Sequence, residues 1–187
     1  MPLPDPTYIV LDMPTVLTDF VMDLRMRFSK RLLCFPVEIT VAGSSGVGPL
    51  ESSQELAQVC RVVSDISSQV DELSLSFPRI LTFPGTGVYF FEPTPRASLE
   101  DIHTRILASG LRFASSPFPF TPHLTALKVN PSNQAMVSEV EALRPPIGAF
   151  RVLTCSVYSI GRSGCELRHR VGLTGGCSVA YTATKSS

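Results

Sequence analysis

The chain has 187 residues, of which 44% are hydrophobic and 17% are charged, and this composition is typical of a folded globular protein rather than a disordered one. Its 16 basic and 16 acidic side chains give a formal net charge of zero, which argues against a broad surface for polyanions but leaves room for a small phosphate pocket. The five cysteines show no C-x-x-C spacing, and no apolar run approaches the roughly 20 residues of a membrane span, so we expect neither a disulfide framework nor membrane association.

The first half of the chain predicts two strands and two helices that alternate. The predicted elements are a strand over 8–13, a helix over 15–28, a strand over 36–43 and a helix over 54–70. Before the second helix lies the loop GSSGVGPL, whose glycine spacing resembles a phosphate-binding P-loop. Pro49 and Leu50 occupy the positions where a P-loop needs Lys and then Ser or Thr, so we reject that motif and expect a flexible loop.

The second half predicts a similar order of elements, followed by a hairpin. In chain order these are strands over 73–77 and 87–93, a helix from Ser98 to Gly110, a strand over 121–129, a helix over 133–143 and final strands over 150–160 and 165–173. Arg162 lies in the last turn, where we interpret it as a solvated charge, and we expect a frayed tail after about residue 175. The whole order indicates an α+β fold of two similar lobes in one domain over 1–187.

Two strands, one from each half, carry the same arrangement of polar residues. In PVEITVAG the side chains of Glu38 and Thr40 fall on the face opposite to the apolar ones. In TPHLTALK, His123 and Thr125 also lie two residues apart and therefore share a face. Either pair alone is typical of an exposed strand. Together, at positions 38 and 123, they predict a pseudo-symmetric site between the lobes.

The arrangement of two such strands resembles that of the 2H phosphoesterase superfamily, which includes RNA 2′,3′-cyclic phosphodiesterases and 2′-5′ RNA ligase-like proteins. The family has two H-x-T/S motifs, each on a strand, and the resemblance in element order runs from Tyr8 to Leu173. It implies a bilobal fold with lobes of antiparallel sheet, helices outside and both motifs facing a central cleft. It also implies a metal-independent phosphodiesterase without a cofactor, which opens the 2′,3′-cyclic phosphate of RNA ends or small cyclic nucleotides. His123 and Thr125 match the second motif in full, and Thr40 matches the hydroxyl of the first.

Glu38 stands where the family has its first histidine. Opening a cyclic phosphodiester needs one group that accepts a proton from water and another that donates a proton to the leaving oxygen. An ionised Glu38, with an ordinary pKa of about 4.3, can act as the base beside His123 as the acid, and the rate then peaks between about pH 4 and 7. To act as the acid instead, Glu38 needs a pKa shift of about two units, or roughly 3 kcal/mol.

The two proton roles therefore stay open at the level of sequence, and so does the class of function. The alternative to an active enzyme is a weakened or inactive homologue, in which Glu38 repels phosphate and the protein binds a nucleotide or RNA end without turning it over. A cleft that serves an unrelated ligand is a third possibility. Activity toward 2′,3′-cyclic nucleotides distinguishes the first two.

The remaining candidate residues lie outside the two strands. Tyr89 shares a strand face with Phe91 and is predicted to bind substrate by stacking on a base, although both are also typical core residues. His103 is interpreted as structural, and the histidines and cysteines show no metal-ligand spacing. We expect a cytoplasmic, monomeric hydrolase of RNA processing, whose partner is a nucleotide or RNA end with a cyclic phosphate.

Overall fold

Four α-helices and eight strands make up the described part of the chain. The computed structural model describes residues 3–4, 6–161 and 164–175. The strands are β1 (Thr7–Asp12), β2 (Glu38–Ala42), β3 (Leu73–Thr82), β4 (Val88–Thr94), β5 (Leu124–Lys128), β6 (Phe150–Val152), β7 (Thr154–Gly161) and β8 (Gly164–Gly172). The helices are α1 (Thr15–Phe28), α2 (Leu56–Ser67), α3 (Ala97–Leu107) and α4 (Gln134–Glu141). Every predicted helix is present, and α1 has the predicted bounds.

All eight strands belong to one antiparallel sheet in the order β6-β3-β4-β5-β2-β1-β7-β8. Because β5 and β2 are central, the sheet divides into two halves of four strands. The helices cross between these halves: α1, which follows β1, packs against β5, and α3, which follows β4, packs against β2. The predicted α+β fold with two pseudo-symmetric lobes is confirmed, and the lobes are halves of one curled half-barrel.

The segment over 150–160, predicted as one strand, is two strands in different parts of the sheet. β6 pairs with β3, whereas β7 pairs with β1 near the opposite edge. Leu153 alone connects them, and two residues of chain span only about 7 Å. The sheet must therefore curl to bring these strands together. The predicted turn at Arg162 and the predicted frayed tail lie outside the described residues.

An apolar core packs between the helices and one face of the sheet. Its members from the helices include Leu17, Val63 and Ile102, and those from the central strands include Ile39 and Leu124. All five are at most 2% exposed. This burial fixes which face of β2 and β5 is turned to the helices, so the polar side chains that alternate with the apolar ones lie on the other face. Within the described residues, no helix combines the length and the apolar character that a membrane span requires.

A buried arginine ties the two halves together along β2 and β5, which we call the seam. The two strands share a single ladder pair, so few backbone hydrogen bonds join them. Arg25, in the last turn of α1, is only 3% exposed, and its Nε and Nη2 donate to the carbonyls of Ala126 and Thr125 at 3.2 and 2.8 Å. Its Nη1 donates to three carbonyls ahead of β2 at 2.8–3.2 Å, those of Leu32, Phe35 and Pro36. The hydrogen bonds of this one side chain thus connect β5 to the segment before β2, where few backbone hydrogen bonds join the two strands.

Candidate functional site

Four polar side chains lie side by side on the open face of the seam. The pair that joins the strands is antiparallel, so Glu38 lies next to Thr125, and Thr40 lies next to His123, on the adjacent rungs. All four are partly exposed, in contrast to the fully buried residues between them. We call these four residues the seam patch. Neighbouring strands place side chains about 5 Å apart, so the seam patch can surround one small group such as a phosphate.

His123 is held in one tautomer. Its Nδ1 lies 2.7 Å from the carbonyl oxygen of Thr121, so Nδ1 carries a proton and donates it, and the Nε2 of the neutral ring is an acceptor. The rings of Phe83 and Phe90 meet the imidazole edge-on, with centroids 5.1 and 5.4 Å away. Burial among these rings lowers the pKa of His123, and the hydrogen bond to Thr121 opposes that change only in part. At neutral pH His123 is therefore a neutral base.

Glu38 experiences the opposite change. Desolvation raises its pKa to about 7, although the hydrogen bond from Thr40 and the charge of Arg25 each lower it. The Thr40 hydroxyl lies 3.1 Å from both carboxylate oxygens. The nearby carboxylate of Asp12 adds a small further increase. Glu38 thus has the shift of about two units that the role of a proton donor near neutrality demands.

A fixed carboxylate lies beside Glu38 on the next strand. Asp12 pairs with Glu38 in the β1–β2 ladder. Five hydrogen bonds from β7 and β8, at 2.5–3.2 Å, hold its carboxylate, and they come from Thr154, Ser156, Tyr158 and twice from Arg170. Because its oxygens are occupied in this way, Asp12 is part of the framework of the site. A cavity of about 100 Å³ opens beside Glu38, and its walls include the rings of Tyr8, Phe35 and Tyr158.

Tyr89, the predicted substrate-binding residue, lies on the other face of β4. Phe90 pairs with Thr125, so Phe90 faces the seam patch and the residues on either side of it face the core. Tyr89 is 6% exposed and belongs to the apolar core, as does Phe91. The two residues share a face as predicted, but that face is covered by the helices. The structure therefore places Phe90 and Phe83, and not Tyr89, beside the seam patch.

The other two histidines lie away from the seam patch. His103 is buried, its Nδ1 donates to the carbonyl of Val41 at 2.7 Å, and its ring stacks on Phe120 with centroids 3.8 Å apart. The interpretation of His103 as structural is confirmed. His169 lies 2.8 Å from the hydroxyl of Ser64 through its Nε2. Among the described residues, no cluster of three or more His, Cys, Asp or Glu could hold a metal ion.

The loop GSSGVGPL is hydrogen-bonded to the segment that precedes His123. The N–H groups of Gly46 and Gly48 donate to carbonyls of the segment that leads into β5, at 2.9 and 2.8 Å. The Ser45 hydroxyl accepts a hydrogen bond from the N–H of Thr121 at 3.1 Å, and the carbonyl of Thr121 in turn holds His123. These contacts contradict the predicted flexible loop. The loop is tied to the strand that carries the second motif.

Arg25 is a residue of the site that the sequence reasoning missed, and the sequence contains a signal for it. It follows Val21 by four residues and precedes Phe28 by three, which places it on the core-facing stripe of α1. A charged residue on such a stripe needs buried partners. The signal does not identify those partners, because they are backbone carbonyls of distant segments.

Comparison with known proteins identifies the fold and the family. A family model described as the 2′-5′ RNA ligase superfamily matches residues 20–163. The structure is similar to Escherichia coli LigT in its apo form, with a TM-score of 0.62 and 16% identity over 91% of this chain and 98% of that chain. LigT complexed with 3′-AMP gives a TM-score of 0.60 and 17% identity, covering 92% of this chain and 99% of that chain. The protein TT0787 of Thermus thermophilus gives 0.60 and 13%, covering 91% and 98%. A search of curated proteins found no match.

Proposed function

The chain belongs to the 2′-5′ RNA ligase superfamily, the 2H phosphoesterases, and on that premise we propose that it hydrolyses 2′,3′-cyclic phosphodiesters at RNA ends or in small cyclic nucleotides. The superfamily supports a phosphoesterase activity in general. Structures of LigT hold 3′-AMP and NADP+, which supports a nucleotide as the ligand class. The observation that carries the proposal is that His123 and Glu38 lie on one face of the seam, each next to a threonine of the neighbouring strand.

The two environments assign the proton roles. His123 presents an acceptor nitrogen to the open face and has its pKa lowered by burial, so it is the general base. Glu38 has a pKa of about 7 and holds a proton that it can give away, so it is the general acid. The reverse assignment, with Glu38 as the base and His123 as the acid, requires His123 to react in its less populated protonated form, because burial lowers the pKa of His123.

The reaction then balances with these two groups alone. Water attacks the phosphorus and loses its proton to Nε2 of His123, while the bond from phosphorus to one ribose oxygen breaks. Glu38 gives its proton to that oxygen, which leaves as a hydroxyl. The product is a phosphomonoester beside an imidazolium and a carboxylate, and proton exchange with water restores the starting forms.

The two threonines serve the phosphate oxygens. Thr125 lies next to Glu38 on the seam and can donate to a non-bridging oxygen, where charge increases in the transition state. Thr40 donates to Glu38 in this structure. When Glu38 is protonated, its neutral carboxyl is the weaker acceptor, so the Thr40 hydroxyl is better placed to turn to the phosphate. Phe83 and Phe90 supply an apolar wall against which a base or sugar can pack.

The test is the hydrolysis of a 2′,3′-cyclic nucleotide between pH 5 and 9. We expect the rate to rise as His123 deprotonates, below its ordinary pKa of about 6.5, and to fall as Glu38 ionises near pH 7. His123→Ala should lower the rate by about 10²- to 10⁴-fold, and Glu38→Gln by a similar factor, because the amide has no acidic proton. Glu38→His, which restores two histidines, should hydrolyse the cyclic nucleotide faster than Glu38→Gln does. His169→Ala is the control and should stay within about twofold of the parent.

Two outcomes would contradict this proposal. If His123→Ala and His169→Ala are equally active, the seam patch is not the site of reaction. If the parent binds the cyclic nucleotide without turnover, and Glu38→Gln binds it more tightly, charge repulsion dominates and the protein is a binding homologue rather than an enzyme.

A further inference from the structure

A second cavity lies at the far end of the seam, beyond Glu38. It has a volume of about 410 Å³ and is formed by the end of α1, the short 3-10 helix over Lys30–Leu32, the end of β5 and the turn before β4. Three cationic side chains line it, those of Lys30, Arg31 and Lys128, and all three are solvent-exposed. No carboxylate is among its lining residues. We call it the basic pocket.

The charges of the basic pocket are not neutralised by the protein. In the described part of the chain eight arginines pair with carboxylates, whereas Lys30, Arg31 and Lys128 form no such pair. Across those described residues, the other exposed cations without a carboxylate partner are Arg61 and Arg144, which lie elsewhere. In a chain of zero net charge, the convergence of three such cations on one cavity indicates an external anion.

The dipole of α1 does not account for this convergence. A helix C-terminus attracts cations, but the last turn of α1 already contains Arg25 and Arg27. Lys128 comes from β5, and the hydroxyl of Ser29 fixes its backbone by donating to the Lys128 carbonyl and accepting from its N–H, each at 2.7 Å. Three carbonyls that follow the helix are turned to the guanidinium of Arg25, and are therefore occupied.

A β-bulge aligns the basic pocket with the seam patch. Thr125 pairs with Phe90 and Leu127 pairs with Tyr89, so Ala126 is an extra residue in β5. The bulge resets the alternation, and Lys128, which pairs with Val88, returns to the face of Thr125. Because their partners Phe90 and Val88 are only two residues apart in β4, the side chains of Thr125 and Lys128 lie about 7 Å apart along the strand.

We propose that the basic pocket binds a phosphodiester of the same RNA strand whose cyclic phosphate occupies the seam patch. This inference rests on the proposed function and narrows its substrate to an oligonucleotide end. Grooves that follow a single strand combine cations for the backbone with aromatic rings for the bases, and here Phe83 and Phe90 lie beside the seam patch while the cations lie farther along β5.

The test compares a 2′,3′-cyclic mononucleotide with an RNA trinucleotide that ends in a 2′,3′-cyclic phosphate. The triple variant Lys30→Gln, Arg31→Gln, Lys128→Gln should lower the ratio of kcat/KM for the trinucleotide to that for the mononucleotide at least tenfold. The matched control is the double variant Arg61→Gln, Arg144→Gln, which also removes exposed, unpaired cations and should leave this ratio within twofold. An equal ratio in the triple variant and the parent would overturn the proposal.

A binding measurement separates this inference from the proposed function. Fluorescence anisotropy of a labelled trinucleotide with a 3′-phosphate, at several salt concentrations, needs no turnover. The triple variant should bind more weakly, with a salt slope smaller by about one for each cation that contacts a phosphate. If neither substrate is hydrolysed but this difference appears, the proposed function fails and the basic pocket stands. If inorganic phosphate alone competes as well as the trinucleotide, the pocket binds a free anion and the proposal is wrong.

Discussion

The proton on Glu38 should be visible in the stability of the protein, independently of any substrate. A carboxyl group whose folded-state pKa is raised favours the folded state in its neutral form. Its contribution is therefore fully present below the unfolded pKa and is lost as the pH rises through the folded pKa. For Glu38 the unfolded pKa is 4.5 and the folded pKa is about 7. Glu38→Gln removes this titration and leaves a neutral side chain of nearly the same shape.

The size of the effect follows from the shift. At about 1.4 kcal/mol per pKa unit, ionisation of Glu38 in the folded protein costs about 3 kcal/mol at alkaline pH. At pH 5 most of this cost is absent, because the folded state keeps the proton. Since Glu38 is partly exposed, we expect solvent to reduce this cost. The free energy of unfolding of Glu38→Gln, relative to that of the parent, should therefore be about 2 kcal/mol higher at pH 8 than at pH 5.

The assay is urea unfolding of both proteins at pH 5 and pH 8, with the free energy of unfolding taken from each midpoint and slope. All other titrating groups are common to both proteins and cancel in the difference. Glu141→Gln is the control, because Glu141 is exposed at the end of α4, and its effect should stay within about 0.5 kcal/mol at both pH values. If Glu38→Gln changes stability equally at pH 5 and pH 8, Glu38 has no raised pKa and cannot be the acid.

Three further predictions follow from the same geometry. Arg25→Met should lower the free energy of unfolding by about 3 kcal/mol, because it leaves five buried or partly buried carbonyls without their donor. Arg25→Lys should recover little of this loss, since an ammonium cannot reach both sides of the seam, and urea unfolding measures both variants. Phe90→Ala should admit water to His123 and raise the pKa of that histidine, which moves the rising limb of the pH–rate profile to higher pH. The control Tyr89→Leu should lower the free energy of unfolding without moving that limb. Hydrolysis should be unchanged by EDTA, and a loss that a divalent ion restores would indicate a metal-dependent mechanism.

Sequence patterns predicted the elements best where one face of an element is apolar and the other is polar. α1 has such a pattern and agrees with its predicted bounds. β3 was predicted over 73–77 but continues to Thr82, because Pro78 interrupts the pattern and the strand accommodates it at an irregularity between Ser76 and Arg79. A local pattern cannot reveal this, since the partner strand β4 supplies the pairing that carries β3 past the proline.

The face of β4 could not be predicted in the same way. Residues 88–91 are apolar throughout, so alternation gives no preference between Tyr89 and Phe90. Their sides are decided by the pairing of Phe90 with Thr125 across the bulge in β5. The seam patch itself was predictable because both of its strands alternate clearly, whereas the residues that hold and desolvate it come from distant segments.

The substitution at position 38 makes physical sense only when both proton groups are considered together. Burial disfavours charge, so the same dry environment raises the pKa of a carboxyl group and lowers that of an imidazole. On the seam these two changes carry Glu38 up to about 7 and His123 below its ordinary value. Two histidines in the same surroundings would both move toward the neutral form and leave the acid role poorly filled, unless charges nearby intervened. A glutamate beside a histidine needs no such charge, because desolvation alone gives one group a proton to donate and the other a lone pair to accept it. Glu38 is thus compatible with acid–base catalysis near neutral pH because the seam is only partly open to water.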